Sequence, residues 1–265
     1  MRSHTVQNNS MIFGTYLTHI QVVPWANYQQ KMWTSDVEAP PRSKVDDVEF
    51  VSSMIEFLNR FTPICIDETR IYATGFSNGG GLVGVLACDE FQSQRIAAFA
   101  AASGAFYGPE ALQERELAWC HTRRKPVPFL ELHGDIDTVI DYEGVGTPDG
   151  ETFAIPKWMI GKAMRAGCDL KKGNITTTLA DGAVEKVTWH CPKSVGDETV
   201  MHYKFKGVGH MWPRRELPGK AEKSPVGAPI DATPIILDFF AKHRIAVSAS
   251  SKLQQATSMH DRDEL

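Results

Sequence analysis

The stretch IYATGFSNGGG, residues 71–81, sets four glycines around one serine, directly behind a short run of β-forming residues. Within it Gly75-Phe76-Ser77-Asn78-Gly79 fits G-x-S-x-G, the nucleophile-elbow pattern in which a strand turns sharply into a helix and holds the serine hydroxyl exposed at the turn. Small residues let that turn close within a few positions. The reading then depends on whether a strand precedes it, a helix follows it, and partners for the serine lie elsewhere in the chain.

Outward from the elbow, the elements alternate. From about residue 45 to 60, Val48, Val51, Met54, Ile55 and Leu58 recur at helical spacing, with Asp46, Asp47 and Glu49 in the opening turn where the helix dipole favours acids. RIYAT (70–74) reads as a strand and NGGGLVGVLAC (78–88) as a small-residue helix able to pack close to a sheet. IAAFAAAS (96–103) and VPFLELHG (127–134) are continuous apolar runs, as in parallel strands covered on both faces. Residues 152–166 predict a helix with Pro156 near its start, followed by VEKVTWHC (184–191) and VMHYKFKG (200–207), a Pro/Gly-rich loop from Pro213 to Pro229 and a last helix over 232–243. The alternation predicts an α/β fold with an open, mostly parallel sheet in one domain, its function gathered in loops at the carboxyl ends of the strands. The tail from Val247 is expected to be disordered.

With 265 residues, 42% of them hydrophobic and 23% charged, the composition is that of a globular protein. A net charge of -4 with no basic block argues against nucleic acid as a partner and for a small neutral or carbohydrate-linked substrate. No apolar run approaches the roughly 18 residues that a membrane span needs, and MRSHTVQNNSMIFGTYLTH at the start lacks the apolar core of a signal peptide. The last four residues, Arg262-Asp263-Glu264-Leu265, nonetheless resemble the K-D-E-L retrieval signal of the secretory pathway. Asn8 and Asn174 stand in glycosylation sequons. Five cysteines show no C-x-x-C pair, which argues against a zinc site and leaves disulfides open. No metal or other cofactor is expected.

A serine hydroxyl needs a base to become a nucleophile, and the base needs an acid to hold its tautomer. After VPFLELHG come three candidate acids, Asp135, Asp137 and Asp141, and FKGVGHMWP supplies His210 behind the last strand. Ser77, an aspartate and His210 thus follow the chain order of the α/β-hydrolase fold, each expected at a strand's carboxyl end. Taken singly, each has a plainer reading as a packing turn, a turn cap or a buried histidine; their joint order favours chemistry.

These segments carry a resemblance. VDDVEFVSSMIEFLNRFTPICIDETRIYATGFSNGGGLVGVLAC, LELHGDIDTVIDYEG and GVGHMWP resemble the fungal feruloyl esterase group of carbohydrate esterase family 1, which is related to polyhydroxybutyrate depolymerase-like and acetyl xylan esterases. The likeness runs over about residues 20–245. It implies an α/β-hydrolase domain over 18–245, with Ser77 as nucleophile, His210 as base and Asp137, the D of H-G-x-x-D, as acid; Asp135 is the second choice. The backbone N–H of Asn78 is then one expected oxyanion donor, and Trp212 beside His210 has two readings, a wall of an aromatic acyl pocket or a core residue. By the same comparison Cys65 pairs with Cys88 and Cys168 with Cys191, leaving Cys120 over. The implied function is serine ester hydrolysis releasing ferulate or related acyl groups from xylan, by a monomer of the secretory pathway. Two alternatives stay open: polyhydroxyalkanoate, short-chain or acetyl xylan esters as substrate, and a non-catalytic relative that only binds.

One departure matters. The family's second oxyanion donor comes from an H-G loop upstream of the elbow, and no such segment lies between Met1 and Ser77; THIQVVPW (18–25) is the one strand expected there, and residues 1–17 match nothing. The first two or three strands are therefore expected to be missing or replaced by residues 1–17. A bare sheet edge should follow, with poor folding and weak turnover.

Overall fold

The computed structural model describes residues 11–15, 20–22, 32–40, 43–61, 66–108, 120, 122–144, 146–147, 150–216 and 223–246. Cys65, the Asn8 sequon, part of the Pro213–Pro229 loop and the tail from Val247 lie outside them. The strands in chain order are β1 (Met11–Thr15), β2 (Ile20–Val22), β3 (Tyr72–Phe76), β4 (Ala98–Ala102), β5 (Phe129–Gly134), the short separate pair β6 (Gly146–Thr147) and β7 (Gly150–Glu151), β8 (Asn174–Leu179), β9 (Val184–Trp189) and β10 (Val200–Phe205). The helices are α1 (Asp47–Phe61), α2 (Asn78–Leu86), α3 (Gln92–Arg95), α4 (Ile155–Arg165) and α5 (Ala232–Ala241).

Eight strands form one sheet in the order β2-β1-β3-β4-β5-β10-β9-β8. The four central strands run parallel, and antiparallel partners flank them on both sides. The apolar run of β4 shows why it lies at the centre. Phe99 and Ala101 join a core with α1, α2 and α4, while Ala98 and Ala100 join a second core with α5. Every β4 side chain is buried, so strict alternation of polar and apolar residues has no place there. The capping aspartate of α1 is Asp46, whose Oδ1 accepts from the N–H groups of Val48 and Glu49. Val48, Val51 and Ile55, three and four residues apart, are the buried face.

The structure corrects two expectations. The edge beside the elbow strand is not bare: β1 pairs antiparallel with β3 from Met11 opposite Gly75 to Gly14 opposite Tyr72, and β2 pairs with β1. An open strand edge presents unpaired N–H and C=O groups; β1, from the residues that match nothing, meets that demand for β3, and β2, from THIQVVPW, pairs outside it. The second correction is the disulfide pattern. Cys168 does bond Cys191, but Cys88 bonds Cys120, so Cys120 is no orphan and Cys65 has no claim on Cys88. The partner is set in space: Cys88 lies just past α2 on the α4 side of the sheet, where Cys120 is also buried. The buried Lys162 of α4 lies against this bridge, its Nζ 3.1 Å from Cys88 Sγ and above the rings of Phe129 and Trp158. Burial, with Arg165 nearby, pushes its amine well below the ordinary lysine range.

Candidate active site

The elbow closes as its glycines require. Ser77 has φ 55° and ψ -122°, a conformation that an L-residue adopts at a cost of about 1–3 kcal/mol and that turns its side chain out between β3 and α2. A Cβ at Gly75 would overlap the Gly79 carbonyl, and one at Gly81 the Ala105 carbonyl. The serine backbone is pinned on both sides: its N–H donates to Ala102 O (3.0 Å), and its carbonyl accepts from Gly81 N (3.0 Å) and Ala105 N (3.1 Å).

Two parallel strands deliver the other groups. Asp137 follows β5, and its Oδ1 accepts from the N–H groups of Val139 and Ile140, each at 2.9 Å, which fixes the carboxylate plane. His210 follows β10. Its Nδ1–H donates to Asp137 Oδ2 at 2.8 Å, and its Nε2 lies 3.0 Å from Ser77 Oγ, the geometry of a hydroxyl donating to a ring nitrogen. His210 and Asp137 are both buried. Burial opposes the charge on Asp137, yet hydrogen bonds from His133 and His210 outweigh it and hold the carboxyl well below its usual range. The arrangement can pass a proton from Ser77 Oγ to His210 while Asp137 steadies the ring.

The other two aspartates hold backbone N–H groups elsewhere, Asp135 across to the loop after β10 and Asp141 within its own turn. Asp135 Oδ1 accepts from Gly207 N at 2.7 Å, and Asp141 Oδ1 from Glu143 N at 2.8 Å. Asn78 opens α2, so its backbone N–H is one of the first four that a helix leaves without an internal acceptor. Its side chain has a second task that the sequence did not disclose. Oδ1 accepts from Trp33 N at 2.7 Å, and Nδ2 donates to Trp33 O and Ser35 Oγ, both at 3.3 Å. Thr34 N donates to the buried Asp47 Oδ2 at 2.6 Å, so two polar side chains clamp the 33–36 segment beside the elbow. Burial pushes the neighbouring Asp36 carboxyl up, opposed by the hydrogen bond from Glu38 N. Trp212 sends its indole N–H to Thr233 Oγ1 at 3.1 Å and packs on the α5 core. The ring against His210 is instead Phe76, at 4.8 Å between centroids.

Behind Asp137 stands a buried polar group of four. His133 Nδ1 lies 2.8 Å from Glu131 Oε1, and its Nε2 lies 2.9 Å from Ile140 O and 3.4 Å from Asp137 Oδ2. Glu131 Oε2 is 2.9 Å from His202 Nδ1, whose N–H is directed at the Glu131 carbonyl (3.2 Å), and Tyr142 O–H donates to His202 Nε2 at 2.9 Å. Burial disfavours charge on both Glu131 and His133, but their attraction prevails: the carboxyl is held low and the imidazole raised to about 10. Glu131 was detectable in LELHG as a lone acid in a buried apolar run.

Comparison with known proteins fits this geometry. No family model matches the chain. It is 27% identical to feruloyl esterase C of Emericella nidulans over 140 residues, covering 50% of this chain and 46% of that protein. Against feruloyl esterase B of Piromyces equi it is 33% identical over 105 residues, 40% of this chain and 18% of the relative. The chain is related to the fungal feruloyl esterases. With feruloyl esterase D of Neurospora crassa the identity is 30% over 96 residues, 36% of this chain and 28% of the relative. The matches thus span about half the length of these relatives or less.

Proposed function

We propose that this chain hydrolyses carboxylic esters by serine acyl transfer, with feruloyl groups on plant cell-wall xylan as its substrate. The observation that carries the reading is the unbroken hydrogen-bond line from Ser77 Oγ through His210 to Asp137 at the carboxyl ends of parallel strands. The relationship to feruloyl esterases supports the acyl group. Ser77 attacks the ester carbonyl as His210 takes its proton; His210 then protonates the departing sugar oxygen, and water releases the acid from the acyl-enzyme. Asp137 orients His210, and the Asn78 N–H at the start of α2 faces the developing oxyanion, aided by the helix dipole. Two disulfides suit an oxidising compartment, consistent with the secretory pathway.

The test measures the chain on methyl ferulate, acetylated xylan and hydroxybutyrate oligomers, beside labelling by a fluorophosphonate. Turnover highest on methyl ferulate is expected, falling by roughly 10³-fold or more in Ser77→Ala together with the label. A folded parent that takes no label would overturn the reading in favour of a binding role.

A further inference from the structure

We infer that Glu131 and His133 are positioning residues, an ion pair that acts through Asp137 to set how firmly His210 keeps its proton. The inference rests on the esterase reading above and deepens it.

The protonation of His133 follows from its partners. Both ring nitrogens face oxygen acceptors: Glu131 Oε1 at 2.8 Å on one side, Ile140 O at 2.9 Å and Asp137 Oδ2 at 3.4 Å on the other. Both side chains of the pair are 0% exposed, so water cannot repair a mismatch. A neutral imidazole has one N–H and would point a lone pair at an oxygen lone pair; the imidazolium satisfies both contacts. The series Glu131, His133, Asp137, His210 is therefore a buried alternation of carboxylate and imidazole, with a positive charge beside the same Asp137 Oδ2 that holds His210.

That shared oxygen gives the pair its leverage. His133 draws on the negative charge of Asp137 Oδ2 and so weakens its pull on the His210 proton. A neutral residue at 133 leaves the whole carboxylate charge to His210, which then keeps its proton to higher pH. The other groups around the pair are His202 and Lys204 from β10 and Tyr142 from the loop after β5, with Asp135, Glu143 and Glu185 farther out around Tyr142. His202 and Tyr142 hold the far side of Glu131. Replacing a buried ion pair by apolar side chains is often neutral or stabilising, so packing alone does not account for these two residues.

The experiment compares the full chain with His133→Asn and Glu131→Gln. Two readouts are followed against pH: the far-downfield proton NMR signal of His210 Nδ1–H, which needs no turnover, and kcat and KM on methyl ferulate. In His133→Asn the NMR transition and the acid limb of kcat/KM are expected to move together to higher pH by roughly half to one unit. We expect kcat at a fixed pH on the acid limb to fall by up to about ten-fold, the factor to which a one-unit shift of the His210 transition corresponds, with KM unchanged. Glu131→Gln is expected to shift both in the same direction by less, since His133 loses its counter-ion, and it decides the matter if His133→Asn does not fold. A folded variant whose NMR transition stays at the parental pH overturns the inference. A shifted transition without Ser77-dependent turnover would instead overturn the esterase reading and leave the pair's role standing.

Discussion

On one face of β5, Leu130 and Leu132 pack into the α5 core among Met201, Tyr203 and Phe239; on the other, Phe129, Glu131 and His133 face the α4 side, where Glu131 and His133 are charged. The two faces belong to one strand and are equally buried. They differ in direction: the α5 face contributes apolar burial that has no preferred axis, while the α4 face lines up charges that run toward Ser77. The same strand thus meets two demands, because period-two alternation assigns each residue to one face without regard to its neighbours. An apolar face tolerates loss of a methyl group as loss of contact; a charged face has to remain paired.

The largest test of that contrast sets Glu131→Ala against Leu132→Ala. Removing Glu131 leaves buried His133 without its counter-ion, so that the imidazole gives up its proton and an unpaired contact remains; this is expected to cost about 3–5 kcal/mol, whereas Leu132→Ala leaves a cavity worth about 2–5 kcal/mol. The magnitudes overlap, so pH separates them. Glu131 has its carboxyl held below the unfolded value, so its stabilisation is present above that value, near 4.3, and is lost as pH falls through the native one. His133 is raised to about 10, so its stabilisation is full below about 6.5, its unfolded value, and is lost as pH rises through 10. The gap in denaturation midpoint between parent and Glu131→Ala should therefore be widest at roughly pH 5–6 and narrow toward pH 10, while the Leu132→Ala gap stays level. Equal pH behaviour of the two variants would erase the distinction between the faces.

The disulfides sharpen the comparison, since both bridges of the described residues lie on the α4 side. Their separations of 32 and 23 residues predict nearly equal chain-entropy contributions, about 3–4 kcal/mol each. Cys168→Ser with Cys191→Ser should cost that much in urea unfolding. Opening the other bridge by Cys88→Ser and Cys120→Ser should cost no less, since it also removes the sulfur contact of buried Lys162. A far smaller cost at Cys88 and Cys120 would mean that Lys162 recovers what the bridge had contributed, by taking a proton once the site opens.

Much of this was legible in the chain. The covered strands β4 and β5 announced themselves as unbroken apolar runs, and G-x-S-x-G fixed the strand, turn and helix around Ser77. β8 was not legible, because NITTTL is largely exposed at the sheet's edge and carries no burial pattern to read. By residue type alone Asp135, Asp137 and Asp141 are not separable, and the resemblance singled out Asp137; in the structure the N–H groups of Val139 and Ile140 aim its carboxylate, while Asp135 accepts from Gly207 N and Asp141 from Glu143 N. Cys120 was misjudged because its partner is set by how α2 and the residues before β5 meet. His202 comes opposite Glu131 through the β5–β10 register, a pairing of residues far apart in sequence that no local pattern encodes.

Trp212 gives the smallest expected effect and separates packing from substrate contact on the α5 side. Its indole N–H bonds Thr233 Oγ1 at 3.1 Å, near the start of α5, and its ring leans on the α5 core. Trp212→Phe keeps an aromatic ring and removes the donor. On this geometry the loss is that of one partly exposed neutral hydrogen bond, about 1 kcal/mol, with no pH dependence and no change in KM for methyl ferulate. Thr233→Val should reproduce it, and the double variant should cost no more than either single one, because both remove the same bond. A several-fold rise in KM confined to Trp212→Phe would instead assign the ring to the acyl group, and the α5 side would then share in substrate recognition as the α4 side shares in proton transfer.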